Sequence, residues 1–379
     1  MQNSKNTGGS QFFPNRNRLY DPKLLEKVVR LRQALHACPE LSGHEEKTKL
    51  LLKRFLQENT TLELNDCGAG FYAAHIETKR DLPGIALRAD YDALPLPNGG
   101  AAHLCGHDGH AAVLCGVALI LSNMKVGRNV FLLFQPAEET GEGAQSCLEL
   151  FDLENVGEIY GAHNLPGFPF GEITTREGTF ACASQGVTLE LLGKSTHAAY
   201  PELGISPANT VGRLLSELPC LVPESKDGKL LLCTVIGAQL GEKAFGMAAS
   251  NAEVWLTKRA ERDEDLSDMH RSISGRAQAL ASEAGLKFQQ EVQDVFPATV
   301  NDRLCAERVL TACHGKVLEQ PMRWSEDFGH YLKRCKGAFF GIGAGAEQPP
   351  LHNTGYDYPD SLLLPSIDAF LNILESFGN

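Results

Sequence analysis

The chain has 379 residues, 43% of them hydrophobic and 22% charged, with a formal net charge of −12. That length exceeds what one hydrophobic core usually serves, so two domains are expected, and the composition is that of a soluble globular protein. An acidic balance without a Lys/Arg run argues against nucleic acid as a partner, and no apolar stretch approaches the length of a membrane span.

Residues 1–18 are polar and rich in Asn, Gln, Gly and Ser; lacking an apolar core, they are expected to form a disordered tail and not a signal peptide. Asp21-Pro22 starts a helix in which Leu24, Leu25, Val28, Val29, Leu31 and Leu35 recur at helical spacing until Pro39 ends it. A second helix is predicted from Glu45 through Leu56, with His36, Glu40 and Ser42 in the polar turn between the two. An α/β rhythm follows: strands over 70–76 and 84–89, a helix over 111–123, then strands over 129–134 and 158–162. The texture changes near residue 180. A strand over 186–192 precedes a helix over 207–218, strands over 230–236 and 252–257, a helix over 264–284 and a strand over 287–295. Strand-helix-strand-strand-helix-strand is the order of a split βαβ, ferredoxin-like sandwich. A helix over 304–314, a strand over 337–342 and a helix over 366–377 return to the first texture. The expected architecture is therefore α/β in two domains. The catalytic domain takes residues 19–180 and 296–379, and an α+β domain over 181–295 is inserted into it. The eleven scattered cysteines, several in apolar surroundings, suggest reduced thiols and a cytoplasmic location.

The short apolar strands run into polar clusters: Asp90 and Asp92, Glu138 and Glu139, and His163. In an open α/β sheet, ligands gather at the carboxyl ends of the strands. Between the first and second of these strands lies His103-Leu104-Cys105-Gly106-His107-Asp108-Gly109-His110, which holds three imidazoles, a thiol and a carboxylate in eight residues. Cys105 and His107 are close enough to share one metal site. With Glu138, Glu139, His163 and the late His352, the donors exceed one tetrahedral zinc site and suit two metals with a bridging ligand. In a turn, one glutamate of the pair can bind metal while the other stays free to take a proton from water. His197, read alone, is a solvated histidine in a turn.

Six segments in order carry a resemblance. They are Leu35-His36…Pro39-Glu40-Leu41-Ser42, Leu87-Arg88-Ala89-Asp90-Tyr91-Asp92-Ala93-Leu94-Pro95, Cys105-Gly106-His107-Asp108-Gly109-His110, Pro136-Ala137-Glu138-Glu139, Gly161-Ala162-His163-Asn164 and Ser325-Glu326-Asp327-Phe328. Together they resemble the M20 metallopeptidase family, in its amidohydrolase branch of N-acyl-amino-acid, hippurate and auxin-conjugate hydrolases. The resemblance implies a catalytic domain of the zinc-exopeptidase type, interrupted by a lid that often mediates homodimerisation. It implies two divalent cations (zinc, manganese, cobalt or nickel) on Cys105, His107, Glu139, His163 and His352, with Cys105 bridging. Glu138 would be the general acid/base of a metal-activated water, and His197 would stabilise the oxyanion, often from a partner subunit. Arg259 and Asn164 would meet the substrate. Asp90, Asp92, Asp108 and His110 would stand behind the ligands, where a carboxylate orients a ligand histidine by accepting its other N–H; Arg88 would neutralise these carboxylates. The implied substrate is a small N-acyl amino acid or a dipeptide-like molecule. A dipeptidase or aminopeptidase on the same scaffold is the alternative, with a non-catalytic binding protein behind it. One segment departs from the family: Gly246-Met247-Ala248-Ala249 stands where Asn-Val-Ile-Pro is usual, so substrate identity is not transferable.

Overall fold

The computed structural model describes residues 21–77, 82–224 and 227–378; the tail expected at 1–18 lies outside the described residues. Two sheets organise the chain. The larger is built from β1 (Glu63–Cys67), β2 (Gly70–His75), β3 (Gly84–Asp90), β4 (Val130–Gln135), β5 (Val156–Pro166) and β6 (Ile173–Thr175). After the second sheet, β11 (Lys316–Val317) and β12 (Lys336–Gly345) complete it. The strand order is β1-β2-β4-β3-β5-β12-β6-β11. Its central four strands are parallel, and β3 and β4 are buried along their whole length. Parallel strands covered on both faces read as continuous apolar runs, which is why they were visible in the sequence. β1 was not expected; only one of its five residues is buried, so it carries no core pattern.

Helices α1 (Pro22–His36), α2 (Glu46–Asn59) and α3 (His107–Leu121) precede a late pair, α6 (Arg303–Ala312) and α7 (Leu363–Glu375), in covering this sheet. Asp21 caps α1 by accepting the Lys23 N–H, and Pro22 occupies the first turn, where its missing N–H costs nothing. Val28, Leu114, Leu132 and Ile367 meet in the core on one face of the sheet, while Phe131, Phe180 and Phe339 fill the other. α3 starts at His107, four residues earlier than predicted, and is buried on nearly every side. Its start depends on Gly106 in the left-handed region (φ 93°), where a Cβ would lie 2.7 Å from the Asn164 Oδ1. Periodicity alone missed this turn because its residues are polar yet buried.

The second sheet has the order β8-β9-β7-β10, formed by β7 (Ala183–Leu192), β8 (Leu231–Leu240), β9 (Asn251–Ala260) and β10 (Lys287–Phe296), all antiparallel. Helices α4 (Ala208–Leu221) and α5 (Asp263–Glu283) cover one face over a core that includes Leu189, Leu214, Val254 and Met269. β9 alternates buried and partly exposed residues over its length, as expected of a sheet covered on one side. No helix among the described residues is long and apolar enough to cross a membrane.

Candidate metal centre

The carboxyl ends of β3, β4 and β5 lie along one edge of the larger sheet, and the polar residues collect there. Asp90 ends β3, and Asp92 follows it. The N–H of Ala137, which has φ 52°, is held by the Glu45 Oε1 at 2.8 Å, just before Glu138 and Glu139 in the turn that follows β4. His163 lies within β5, which continues to Pro166.

Cys105, His107 and His163 offer ligand atoms within 4.8 Å of one another, as do Cys105, Glu139 and His352. Cys105 belongs to both groups. The Cys105 Sγ lies 3.4 Å from the His163 Nε2, and the Glu139 Oε1 lies 3.8 Å from the His107 Nε2 and 3.6 Å from the His352 Nε2. The fit to metal is chemical as well as spatial. The His107 Nε2 and Glu139 Oε1 are buried atoms without a hydrogen-bond partner, an arrangement costly unless something electrophilic stands between them. The other ring nitrogens are occupied: the His107 Nδ1–H donates to the Asp92 Oδ1 at 2.9 Å, and the His163 Nδ1–H to the Asn164 carbonyl at 2.8 Å. Each bond leaves the Nε2 lone pair of its ring facing the cluster. Asp92 is itself anchored by the Ser42 hydroxyl at 2.7 Å and the Glu139 N–H at 3.0 Å.

Around this cluster a cavity of about 600 Å³ opens. Cys105, Glu138, Glu139, His163 and His352 form its floor, Phe168, Met322 and Trp324 an apolar wall, and Ser184, Gly186, Thr257 and Arg259 of the second sheet its roof. Burial and the neighbouring Glu326 hold the Glu138 carboxyl well above the usual carboxylate range.

The electrostatics of the donors predict how metal binding depends on pH. Burial, then the charges of Glu139 and Glu138, push the Cys105 thiol well above its ordinary value. Burial alone would lower His107, but Asp90 and Asp92 outweigh it and raise the ring to about 10. Burial and the nearby His110 and His107 hold His163 well below its ordinary range, which favours a neutral ring. Cys105 and His107 must each lose a proton to ligate. Metal uptake near neutral pH is therefore expected to release about two protons, with affinity rising steeply as pH increases. Proton release in a weakly buffered metal titration measures this, and pH-independent affinity would remove both residues from the ligand set.

Other expected residues take different places. His110 has its Nδ1–H on the Asp90 Oδ1 at 2.6 Å and its Nε2 2.5 Å from the Asn164 Oδ1. Asp108 does not reach a ligand histidine; it accepts from the His36 Nδ1 at 2.7 Å and faces Arg32 at 3.4 Å, because the first turn of α3 points it toward α1. Asn164, expected against substrate, does not line the cavity. It is 2% exposed, and its amide is engaged by His110 and by the Tyr356 hydroxyl. His197 is exposed in a short ladder with Met247 and is also absent from the cavity lining. Arg88 does meet carboxylates, those of Asp90 at 2.6 Å and Asp327 at 2.8 Å. The sequence reading gave no role to Ser42, Glu45 or Glu326; Ser42 and Glu326 lie in quoted motifs, which was the available signal.

The model of peptidase family M20/M25/M40 matches residues 86–376. The chain belongs to that family. As an M20 protein it is a metal-dependent hydrolase of amide bonds, and its α/β fold is that of M20 aminohydrolases. It is similar to an IAA-amino acid hydrolase of Arabidopsis thaliana, 30% identical over 340 residues covering 83% of this chain and 78% of that protein. An N-acetyl-L-cysteine deacetylase of Bacillus subtilis is 28% identical over 341 residues, covering 86% and 82%. Among solved structures, a dinuclear metal-binding M20 peptidase of Bacillus subtilis superposes with a TM-score of 0.78 at 26% identity, covering 94% of this chain and 99% of that one.

Proposed function

We propose that this M20 hydrolase cleaves the amide bond of N-acyl amino acids, with two divalent cations on Cys105, His107, Glu139, His163 and His352. The observation that carries the reading is the pair of donor groups sharing Cys105 beside the buried Glu138, whose carboxyl neighbours Glu326. The cations, whether zinc, manganese, cobalt or nickel, supply Lewis acidity that polarises the scissile carbonyl and acidifies water. Glu138 takes the proton of the attacking water and delivers it to the departing amine; a carboxyl held above its usual range by burial suits both transfers. Arg259 supports a substrate with a free carboxylate. It is half-buried in the cavity roof, donates to the Ser325 Oγ at 2.9 Å, and has no carboxylate within ion-pair distance among the described residues. The relatives named for N-acetyl-L-cysteine and IAA-amino acids act on acylated amino acids by those names, which favours the same class here.

Residues 181–295 act as the lid in this reading, and two copies pair through it. β8 is an edge strand of the second sheet with Val235 46% and Ile236 62% exposed, and Phe245 and Met247 are exposed nearby. Such an edge invites pairing with a second copy, and pairing would carry His197, the ladder partner of Met247, toward a neighbouring site to stabilise the oxyanion. Sedimentation of the metal-loaded protein decides this, and a fully active monomer would exclude it. All eleven cysteines are free thiols, which supports a reducing, cytoplasmic compartment.

The function is tested by amine release from N-acyl amino acids and from plain dipeptides, using metal-stripped protein resupplied with each cation. Metal-dependent cleavage of the acylated compounds is expected. Cleavage restricted to peptides with a free amino end would make the protein a dipeptidase, and metal-loaded protein inert to both would reject the reading.

A further inference from the structure

The roof of the cavity holds a carboxylate that the proposed reaction does not use. On the second sheet, Val292 pairs with Val187 on the helix-covered side, and Gln293 pairs with Gly186 on the cavity side. Strict alternation would turn the next residue, Asp294, toward the helices. The register instead slips: Ser184 pairs with Phe296, so two steps along β7 match three along β10, and the additional residue forms a bulge. Asp294 sits in that bulge with φ 49° and lines the cavity. A bulge beside a site re-aims a side chain, and a left-handed residue other than glycine at a binding cavity is a sign of function. Asp294 has no ion-pair or hydrogen-bond partner among the described residues.

Arg259 lies across the same roof. It pairs with Ser184 on one side of β7, and Phe296 pairs with Ser184 on the other. Two strand spacings, about 10 Å, separate the backbones that carry the guanidinium and the carboxylate. The cavity thus presents one unpaired cation and one unpaired anion to the same ligand, at a separation that suits a molecule charged at both ends.

We propose that Asp294 is a specificity-determining residue that receives an ammonium group. The preferred substrate class is then an Nα-acylated diamino acid of the lysine or ornithine type, its carboxylate on Arg259 and its side-chain ammonium on Asp294. This rests on the amidohydrolase reading for the reaction and adds the charge of the side chain. A neutral side chain of the same length fills the same space but leaves Asp294 without a partner.

The test compares kcat/KM for Nα-acetyl-L-lysine and Nα-acetyl-L-norleucine on metal-loaded wild-type protein and on Asp294→Asn. Asparagine tolerates the left-handed conformation, so the substitution removes charge while keeping the bulge. The wild type is expected to favour the lysine compound by tenfold or more, about the worth of one charge-assisted contact, and the variant ratio to fall toward one. A wild-type ratio near one, or a ratio that Asp294→Asn leaves intact, overturns the proposal. If the wild type hydrolyses neither compound, the amidohydrolase reading fails by itself. Equilibrium binding of the same pair to the metal-loaded protein then gives the ratio that decides Asp294.

Discussion

Glu138→Gln is expected to lower kcat by about 10²–10⁴-fold, the range for loss of a positioned proton-transfer group, while leaving metal content and fold in place. The amide has the shape of the carboxyl but no usable basicity. Glu138 is 5% exposed, follows the apolar strand β4 by three residues, and stands 4.0 Å from the His107 Nε2. Two groups that share Cys105 do without it, although it also lies within reach of His107 and Glu139, so the amide is expected to leave the Cys105-centred donors in place. Steady-state kinetics with metal stoichiometry on the same preparation checks the expectation. Near-normal kcat would remove Glu138 from proton transfer, and loss of metal along with activity would make it a ligand.

Arg88→Met is expected to destabilise the protein by about 3–5 kcal/mol, because it breaks a buried ion network from one side. Arg88 lies on the central strand β3 and is 2% exposed. Its Nη1 and Nη2 reach Asp90 and Asp327, its Nε donates to the Gln135 Oε1 at 2.8 Å, and the Glu326 Oε2 is 3.4 Å away. Methionine fills much of the volume but leaves these carboxylates without their cation. The pH dependence has a definite sign. Losing the cation raises the folded-state carboxylate pKa values, and a raised acid pKa costs stability above the unfolded value, where the group must ionise. The penalty is therefore greatest at neutral pH and shrinks toward acid. Urea unfolding at neutral and mildly acidic pH measures it, and a change below about 1 kcal/mol at both would mean the network is not held by its charges.

The order of most elements, the second sheet with its two helices and the polar residues gathered at the strand ends were legible in the amino-acid sequence because their signals are local. An apolar run marks β3 or β4, alternation marks β9, and Cys105 and His107 are separated by one residue. The roles of neighbouring side chains were not legible, because long-range partners decide them. Asp108 is adjacent to His107 in sequence, yet it faces His36, 72 residues away, while Asp92 takes the His107 ring. Asn164 adjoins the candidate donor His163, but contacts with His110 and Tyr356 turn its amide away from the cavity. Asp294 sits in a strand whose sequence reads as an ordinary exposed ladder, and only the register between β7 and β10 brings it to the cavity. Residue type and spacing determine which chemistry this protein has available. Hydrogen bonding and strand register between distant segments determine which atom of each residue faces the site, because a buried polar group takes whichever partner the fold brings to it.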